Sequence, residues 1–496
     1  MKEIIASFKQ QLEKLRAYEH AMGVVNYDME TVMPRGAAEV VGQTLGALSE
    51  EAYKLSTSDA LQACIEAILA APDEAVDEIT RREAQLLAED RARIACIPMD
   101  EYVAYQVEVT RANNIWHAAK LQNDFASFLP SLKKVVEMTA RFARYYRPDA
   151  PVYDTLLDQF EKGLTMATLD VFFADVRKKL VPLIEAIHTQ PDCSFLRQPY
   201  PIDVQKQFSD YLMDVLGLDR KYTIIGETEH PFTTNFTKYD VRITTHYHAD
   251  DMVSSMYSVI HEGGHATYER NIADALALSP LGEGVSMGVH ESQSRFFENI
   301  IGRSEPFIEA IFPKMQALFP TQLAGVTPHA FYLAVNKAEP SLIRTEADEL
   351  TYPLHVLVRY ELEKRLFDGT LAVEDLPDAW NKLYKSVLGV DVPSDREGVL
   401  QDSHWASGLF GYFPSYAIGS AYGAQLLAVL EREMDVWSTV RQGDLKPIVA
   451  WLTDRIYRFG RSKDPADVIA DACGAPFDPN CYTDYLRNKF TALYNL

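Results

Sequence analysis

Cysteine is scarce in this chain of 496 residues, and its few thiols follow no recognisable pattern. Their number is odd and no two form a C-x-x-C pair, so the sequence predicts neither a disulfide framework nor a zinc ribbon. Scattered free thiols are typical of a reducing compartment, and we expect a cytoplasmic protein. The five cysteines are Cys64, Cys96, Cys193, Cys473 and Cys481.

The chain also has no excess of basic over acidic residues. Lys and Arg number 48 against 71 Asp and Glu, which gives a formal net charge of −23. Because nucleic-acid binding requires positive surface to neutralise phosphates, this balance excludes a general nucleic-acid-binding protein. With 47% hydrophobic and 24% charged residues, the composition is that of a globular protein and excludes disordered and collagen-like classes.

No leader or membrane span is indicated. The first 20 residues, MKEIIASFKQQLEKLRAYEH, contain charges every few positions and no apolar core, so they predict an amphipathic helix rather than a secretory signal. The uncharged stretch 405–430 would be long enough to cross a bilayer, but it contains Pro414 and four glycines. We therefore expect a buried segment and no membrane partner.

Proline and glycine divide the sequence into long helical runs. The segments 73–97, 99–129 and 131–147 contain neither residue and predict helices, with prolines at their borders. The same pattern returns in 340–368 and 424–443. With no repeat of fixed period and no linker, we expect a mainly α protein that folds as a single large helical body.

One segment departs from the helical pattern. Residues 230–248 are dense in Thr, Phe, Tyr, Val and Ile and alternate in polarity, which indicates strands. We predict a hairpin that turns near Thr237–Lys238. This small sheet directly precedes the strongest motif in the chain.

That motif is H-E-x-x-H, present as HEGGH at 261–265. Residues four apart lie on one face of a helix, so His261 and His265 can share one Zn²⁺ at about 2.0–2.1 Å. Glu262 is rotated from His261 by about 100°, which suits it to take a proton from a water beside the metal. The motif predicts a zinc site with Glu262 as general base.

The alternative is a surface helix that carries two unrelated histidines. The flanking residues are apolar or small, which favours a buried helix, and buried histidines need partners. Gly263 and Gly264 each cost a helix interior about 1 kcal/mol relative to Ala. That cost predicts that another element packs closely against the helix at this point.

A catalytic zinc needs a third protein ligand and leaves one position open. The segment HESQSRFFE at 290–298 has polar residues at helical spacing and offers Glu291. Spacing alone leaves Glu283 and His290 as alternatives to Glu291.

Other polar residues near the motif have less specific interpretations. Glu298 is interpreted as part of a solvated helix face. Glu269 is either a support for the metal ligands or an exposed carboxylate. His246 and His248 form a competing pair of candidate metal ligands, but without a neighbouring carboxylate or cysteine motif they are interpreted as exposed strand residues.

Several motifs in a fixed order resemble one family. HEGGH followed by HESQSR is similar to the M32 metallocarboxypeptidases, the family of carboxypeptidase Taq. Independent motifs in the family's order are far more specific than one H-E-x-x-H. The further motifs are HPF at 230–232, DVRIT at 240–244, IRTEAD at 343–348, GVLQDSHW at 398–405 and GYFPSY at 411–416.

The resemblance implies an activity and the residues that carry it. His261, His265 and Glu291 would bind Zn²⁺, or Co²⁺ as in some members. Glu262 would act as general base and acid. Members of the family release single residues from the C-termini of peptides with broad specificity, and they disfavour terminal proline.

The resemblance also implies an architecture. Members form homodimers of mostly helical subunits with a deep substrate groove, in a fold like that of neurolysin and angiotensin-converting enzyme. We therefore expect one catalytic domain over 1–496, with a small β-sheet near the zinc. Residues 1–220 would form a helical wall of the groove, and 221–496 would carry the zinc and substrate site.

Peptide hydrolysis also needs a donor that holds the developing oxyanion. The candidates are His404 in QDSHW and Tyr412 in GYF, with Tyr416 behind them. From the residues alone, packing in an aromatic core is the simpler interpretation of either tyrosine.

Cleavage at a C-terminus requires a cation for the terminal carboxylate, and Arg binds carboxylates through two hydrogen bonds. The resemblance favours Arg344, with Arg242 and Thr244 lining the site, although any arginine could instead belong to a structural ion pair. The DVRIT strand, as an edge strand beside the zinc helix, is expected to pair with an extended peptide. The four candidate arginines for this role are Arg242, Arg295, Arg344 and Arg359.

Two other functions fit the same metal residues. An oligopeptidase or endopeptidase on this scaffold would differ only in how far the groove continues beyond the first product-side residue. A peptide-binding protein that keeps zinc but has lost turnover would have no need of Glu262, whose presence argues against it.

Overall fold

Helices account for most of the chain, and their starts follow local sequence signals. The computed structural model describes all residues from 1 to 496. Polar side chains cap many helix starts; Asp77 accepts the N–H of Thr80, and Asp251 accepts that of Ser254. The prediction of a mainly α protein is confirmed. The helices are α1 (Lys2–Thr31), α2 (Ala38–Ser56), α3 (Asp59–Ala70), α4 (Glu78–Ala95), α5 (Met99–Gln122), α6 (Phe125–Tyr146), α7 (Val152–Phe160), α8 (Met166–Glu185), α9 (Ile202–Val215), α10 (Met252–Arg270), α11 (Met287–Arg295), α12 (Glu305–Leu318), α13 (Pro328–Val335), α14 (Tyr352–Phe367), α15 (Leu376–Leu388), α16 (Phe413–Glu433), α17 (Val436–Arg441), α18 (Lys446–Arg455), α19 (Pro465–Cys473) and α20 (Asn480–Tyr494).

The long runs form helices, but several predicted borders are wrong, and the run 424–443 is divided between α16 and α17. α5 ends early because Asn123 adopts the left-handed conformation, with φ of 56°, and the Asp124 side chain caps the next helix. Pro130 therefore lies inside α6 instead of at its border. Before α14 the chain is irregular, and the helix begins only at Tyr352.

The strand-rich segment belongs to a three-stranded sheet of β1 (Thr223–Glu227), β2 (Thr233–Thr237) and β3 (Asp240–Thr245). The predicted hairpin is confirmed, since β2 and β3 pair antiparallel on either side of a tight turn. β1 was not predicted; it pairs parallel with β3, which gives the order β1-β3-β2. The DVRIT strand is therefore central, and the prediction that it is an edge strand is wrong.

One main hydrophobic core of 100 buried residues extends from Leu86 to Phe490. A smaller cluster of eight buried residues joins α1, α3 and α4, and Phe8 and Leu12 contribute the predicted apolar face of α1 to it. The helix that carries HEGGH, α10, lies inside the main core and contacts α9, α11 and β3. The metal motif is thus held by a rigid interior.

The uncharged stretch 405–430 leads into α16, which is buried along most of its length, as expected. None of the helices combines the length and the apolar character that a membrane crossing requires.

Candidate metal centre

Glycines bring the helices of the centre into close contact. A Cβ added to Gly264 would lie 2.7 Å from the carbonyl oxygen of Gln293 in α11, and one added to Gly263 would lie 2.4 Å from Leu216 Cδ1. The prediction that another element packs tightly there is confirmed. On the other side of α11, a Cβ on Gly419 of α16 would lie 2.8 Å from the Cβ of Glu291. α11 is therefore held between α10 and α16 at backbone distance.

This packing brings three metal-ligating side chains together. Glu291 Oε2 lies 3.8 Å from His261 Nε2 and 3.6 Å from His265 Nε2. One ligand atom from each of the three residues lies within 4.8 Å of the other two. Tetrahedral ligands bound at about 2.0–2.1 Å are separated by about 3.3 Å, so the set fits a divalent ion after a small contraction.

His261 is oriented by a carboxylate. Its Nδ1 lies 2.8 Å from Glu298 Oε2, which leaves Nε2 directed at Glu291. Glu298 belongs to a π-helical turn, Phe296–Ile301, that continues α11. Its side chain is only 13% exposed, so its interpretation as part of a solvated face is wrong.

His265 is oriented by a second histidine. Its Nδ1 contacts Nδ1 of His290, whose Nε2 lies 2.7 Å from Glu269 Oε1. If His290 donates its Nε2 proton to Glu269, its Nδ1 accepts from His265, and His265 Nε2 keeps a free lone pair. Glu269 is buried, so it supports the ligands and is not an exposed carboxylate.

Glu291 is fixed from behind by Arg295. The arginine Nε donates to Oε1 at 2.7 Å, and the Ser294 hydroxyl donates to Oε2 at 3.0 Å. Although burial opposes ionisation, the charge of Arg295 and the hydrogen bond with His265 hold the pKa of Glu291 well below its usual range. The carboxylate is therefore ionised, as a metal ligand must be.

Glu262 faces the sheet. The hydroxyl of Thr233, at the start of β2, donates to Glu262 Oε2 at 2.6 Å. The residue is 7% exposed, and burial raises the pKa of its carboxyl. A raised pKa suits a group that takes up a proton and later returns it.

The aromatic candidates form one cluster next to Glu291. His404 Nε2 lies 3.3 Å from the Tyr416 hydroxyl, and the ring centroids of His404 and Tyr412 are 5.4 Å apart. Burial and then the negative charge of Glu291 raise the pKa of Tyr412. Burial lowers the pKa of His404 to about 4, so this imidazole is neutral near pH 7.

Arg344 is buried and already paired. Its Nε donates to Asp402 Oδ1 at 3.1 Å, and its NH1 donates to the Tyr352 hydroxyl at 3.0 Å. The guanidinium also lies 4.9 Å from the centroid of the Tyr416 ring. Since Arg295 stacks on the same Tyr352 ring at 4.7 Å, Tyr352 connects Arg344 to the metal centre.

Arg242 and Thr244 lie in the central strand and have their own partners. Arg242 binds Asp240 through two hydrogen bonds of 2.9 and 2.8 Å, and it stacks over Tyr27 of α1. Thr244 is buried and exchanges hydrogen bonds with the backbone of Phe232. Neither residue belongs to the cluster around Glu291.

The competing metal candidates are arranged differently. His246 and His248 have ring centroids 4.5 Å apart, but no carboxylate or cysteine completes a group with them. Glu283 has a side chain that is 60% exposed and lies 3.7 Å from Arg461. Neither set converges on one point as the three residues of α10 and α11 do.

Two cavities lie beside the centre. A cavity of about 370 Å³ is lined by Phe160, Asn235, Glu269 and His290. It shares Asn235 with a second cavity of about 410 Å³ that runs between α1 and β2.

A comparison over nearly the whole sequence identifies the family. The sequence profile described as carboxypeptidase Taq (M32) metallopeptidase matches residues 7–490. The chain belongs to this family. As an M32 metallopeptidase it is a hydrolase that uses a divalent metal, and the resemblance noted from its motifs is confirmed.

Known carboxypeptidases match over nearly their full length. Carboxypeptidase 1 of Bacillus subtilis is 39% identical over 489 residues, which cover 98% of this chain and 97% of the relative. Thermostable carboxypeptidase 1 of Thermus thermophilus is 36% identical over an alignment of 508 positions, which covers 99% of this chain and 99% of the relative. The M32 carboxypeptidase of Deinococcus radiodurans has a crystal structure similar to this one at a TM-score of 0.96, with 34% identity, 99% of this chain and 100% of that one covered.

Proposed function

We propose that this protein is a zinc-dependent metallocarboxypeptidase that releases single C-terminal residues from peptides with broad specificity. The observation that carries the proposal is the convergence of His261, His265 and Glu291 beside Glu262. Two imidazoles and one carboxylate are a donor set typical of catalytic zinc in peptidases. Co²⁺ accepts the same ligands and is expected to substitute.

His261, His265 and Glu291 would hold the ion, which when bound would supply Lewis acidity to polarise the scissile carbonyl and acidify the attacking water. Glu262 Oε1 takes the proton from that water, while Thr233 holds Oε2 in place. Glu262 then gives the proton to the leaving amine. His404 and Tyr412 are proposed to donate hydrogen bonds to the oxyanion, with Tyr416 behind them.

Arg344 is proposed to bind the terminal carboxylate of the peptide. Three of its five N–H groups are used by Asp402 and Tyr352, so two remain for a ligand. Arg242 and Thr244 lie in β3, which pairs with β2 beside Glu262, and are proposed to support the substrate site from the sheet. The edge strand β2, which contacts Glu262 through Thr233, replaces β3 as the strand proposed to pair with the peptide backbone.

Replacing Arg344 by Ala should raise KM about 10- to 100-fold for peptides with a free C-terminal carboxylate, because charge-assisted hydrogen bonds contribute about 1.5–3 kcal/mol. For amidated peptides, KM should change much less. Steady-state kinetics with the two peptide series measure this difference. Arg441→Ala, which removes an exposed arginine paired with Glu309, is the matched control. Equal changes for both series would remove Arg344 from this role.

The activity itself is tested by following a synthetic peptide by mass spectrometry, with a free and with a blocked C-terminus. We expect residues to leave singly from the free C-terminus, a chelator to stop the reaction, and Zn²⁺ or Co²⁺ to restore it. Internal cleavage of the blocked peptide would indicate an oligopeptidase or endopeptidase instead. Binding of peptide with no product at any metal concentration would indicate an inactive peptide-binding protein.

We further propose that the enzyme works in the cytoplasm as a homodimer and that the whole chain forms one catalytic domain. Five free cysteines support a reducing location. The continuous core from Leu86 to Phe490 supports one domain. The homodimer is supported by the resemblance of the motifs to the family.

A further inference from the structure

Glu363, on α14, is a buried carboxyl group that the proposed mechanism does not use. It is 0% exposed, and its hydrogen bonds come from neutral donors alone. Burying a carboxyl that has no hydrogen bond from a cation is costly, and burial raises the pKa of Glu363 to about 7. Because this burial is costly, we asked which parts of the structure the Glu363 carboxyl holds in place.

Three donors converge on its two oxygens. Oε1 accepts the indole Nε1–H of Trp405 at 2.7 Å. Oε2 accepts the backbone N–H of Gly411 and the hydroxyl of Tyr153, each at 2.8 Å. Two of these donors, Trp405 and Gly411, are the first and last residues of the irregular turn 405–411.

This turn connects the two candidate oxyanion donors. His404 directly precedes it, and Tyr412 directly follows it. At its end, Gly411 has a φ of 88°, and an added Cβ would lie 2.8 Å from the backbone carbonyl of Leu156. The turn therefore cannot shift freely, and its conformation fixes where both side chains point.

A second contact holds the chain on the other side of His404. Arg359 lies on α14 one helical turn before Glu363, and its NH2 donates to Asp402 Oδ2 at 2.6 Å. The segment is thus bound to one helix at Asp402, at Trp405 and at Gly411. His404 lies between the first two of these points.

We propose that Glu363 is a positioning residue that fixes the turn 405–411 and thereby directs His404 and Tyr412 toward the metal centre. The inference rests on the proposed function, which gives these two residues their role. The carboxyl is required because both of its oxygens must accept. In Glu363→Gln one oxygen becomes an NH₂ group, which then opposes the N–H of either Trp405 or Gly411.

The test compares Glu363→Gln and Trp405→Phe with Tyr153→Phe as the matched control. Trp405→Phe removes one of the two hydrogen bonds between Glu363 and the turn, and the bond from the Gly411 N–H remains. Tyr153→Phe removes a hydrogen bond to the same carboxyl, but from a residue outside the turn. Each protein is studied as the full chain with zinc, by steady-state kinetics and by hydrogen–deuterium exchange resolved to the peptide that spans 402–412.

For Glu363→Gln and Trp405→Phe we expect faster exchange in 402–412 and a kcat lower by about 10- to 100-fold, with a smaller change in KM. Tyr153→Phe should lower the melting temperature but leave exchange in 402–412 and kcat near the wild-type values. Unchanged exchange in the first two variants, or an equal loss of kcat in all three, would overturn the proposal. If Glu363→Gln does not fold, Trp405→Phe decides.

The exchange measurement also separates this inference from the proposed function. If the wild-type enzyme released no C-terminal residues, the proposed function would fail. Exchange in 402–412 would still determine whether Glu363 anchors the turn.

Discussion

Replacing Glu262 by Gln is expected to lower kcat by about a thousandfold or more, while the metal stays bound. General acid–base catalysis contributes about 10²- to 10⁴-fold, and the amide cannot take the proton from water. Thr233 can still donate to the amide oxygen in place of Glu262 Oε2, so the fold around the site should persist. Steady-state kinetics together with metal analysis of the purified variant measure both effects.

Glu283→Gln is the matched control for this experiment. It removes the same charge from a carboxylate that is 60% exposed beside the site and pairs loosely with Arg461. Its kcat should remain near the wild-type value. A Glu262→Gln enzyme with wild-type kcat would eliminate Glu262 as the base.

Replacing Glu291 by Gln is expected to weaken zinc binding by more than the roughly 10- to 100-fold that is typical for loss of an outer-shell partner. The amide lacks the charge that a divalent ion requires, and the buried guanidinium of Arg295 loses its 2.7 Å contact with a carboxylate. Activity should therefore fall steeply at low free zinc and recover partly at high zinc. Competition with a chromogenic chelator measures the affinity directly.

Glu298→Gln provides the graded comparison. Glu298 contacts His261 Nδ1, and none of its atoms belongs to the three-ligand group. Its loss should weaken zinc binding only within the outer-shell range of about 10- to 100-fold. Equal affinities in Glu291→Gln and Glu298→Gln would contradict the assignment of Glu291 as a ligand.

The histidine pair could be predicted because its geometry is local. Four residues of helix place His261 and His265 on one face whatever surrounds them. The cost of Gly263 and Gly264 similarly predicted a close neighbour, and the neighbours are α11 and Leu216. Both of these predictions depend on one helix alone.

Residues that act across elements were harder to interpret. A polar stripe on a helix has the same periodicity whether it faces water or other buried polar groups, so Glu298 was assigned to the wrong environment. Thr233 donates a hydrogen bond to Glu262, but nothing in the sequence distinguishes it from the other threonines of its strand. β1 was missed because a five-residue strand that pairs parallel with a later one leaves no hairpin pattern.

The arginines illustrate the same limit. The resemblance of the motifs favoured Arg344 as the carboxylate-binding residue. Only the structure shows that it lies against Asp402, Tyr352 and Tyr416. Arg242 is bound to Asp240, two residues away in its own strand. Which ion pairs form depends on how distant segments pack, and periodicity does not carry that information.

The backbone contacts at Gly264 and Gly419 have a consequence for how an ion is captured. At these two points no glycine side chain separates α11 from α10 or α16, so the backbones set the spacing of the helices. Contacts with Glu298, His290 and Arg295 hold the rotamers of the three donors. An arriving cation therefore meets a preorganised cage, and little conformational entropy is lost on capture. Exchange of one cation for another should accordingly proceed without unfolding any part of the helical interior.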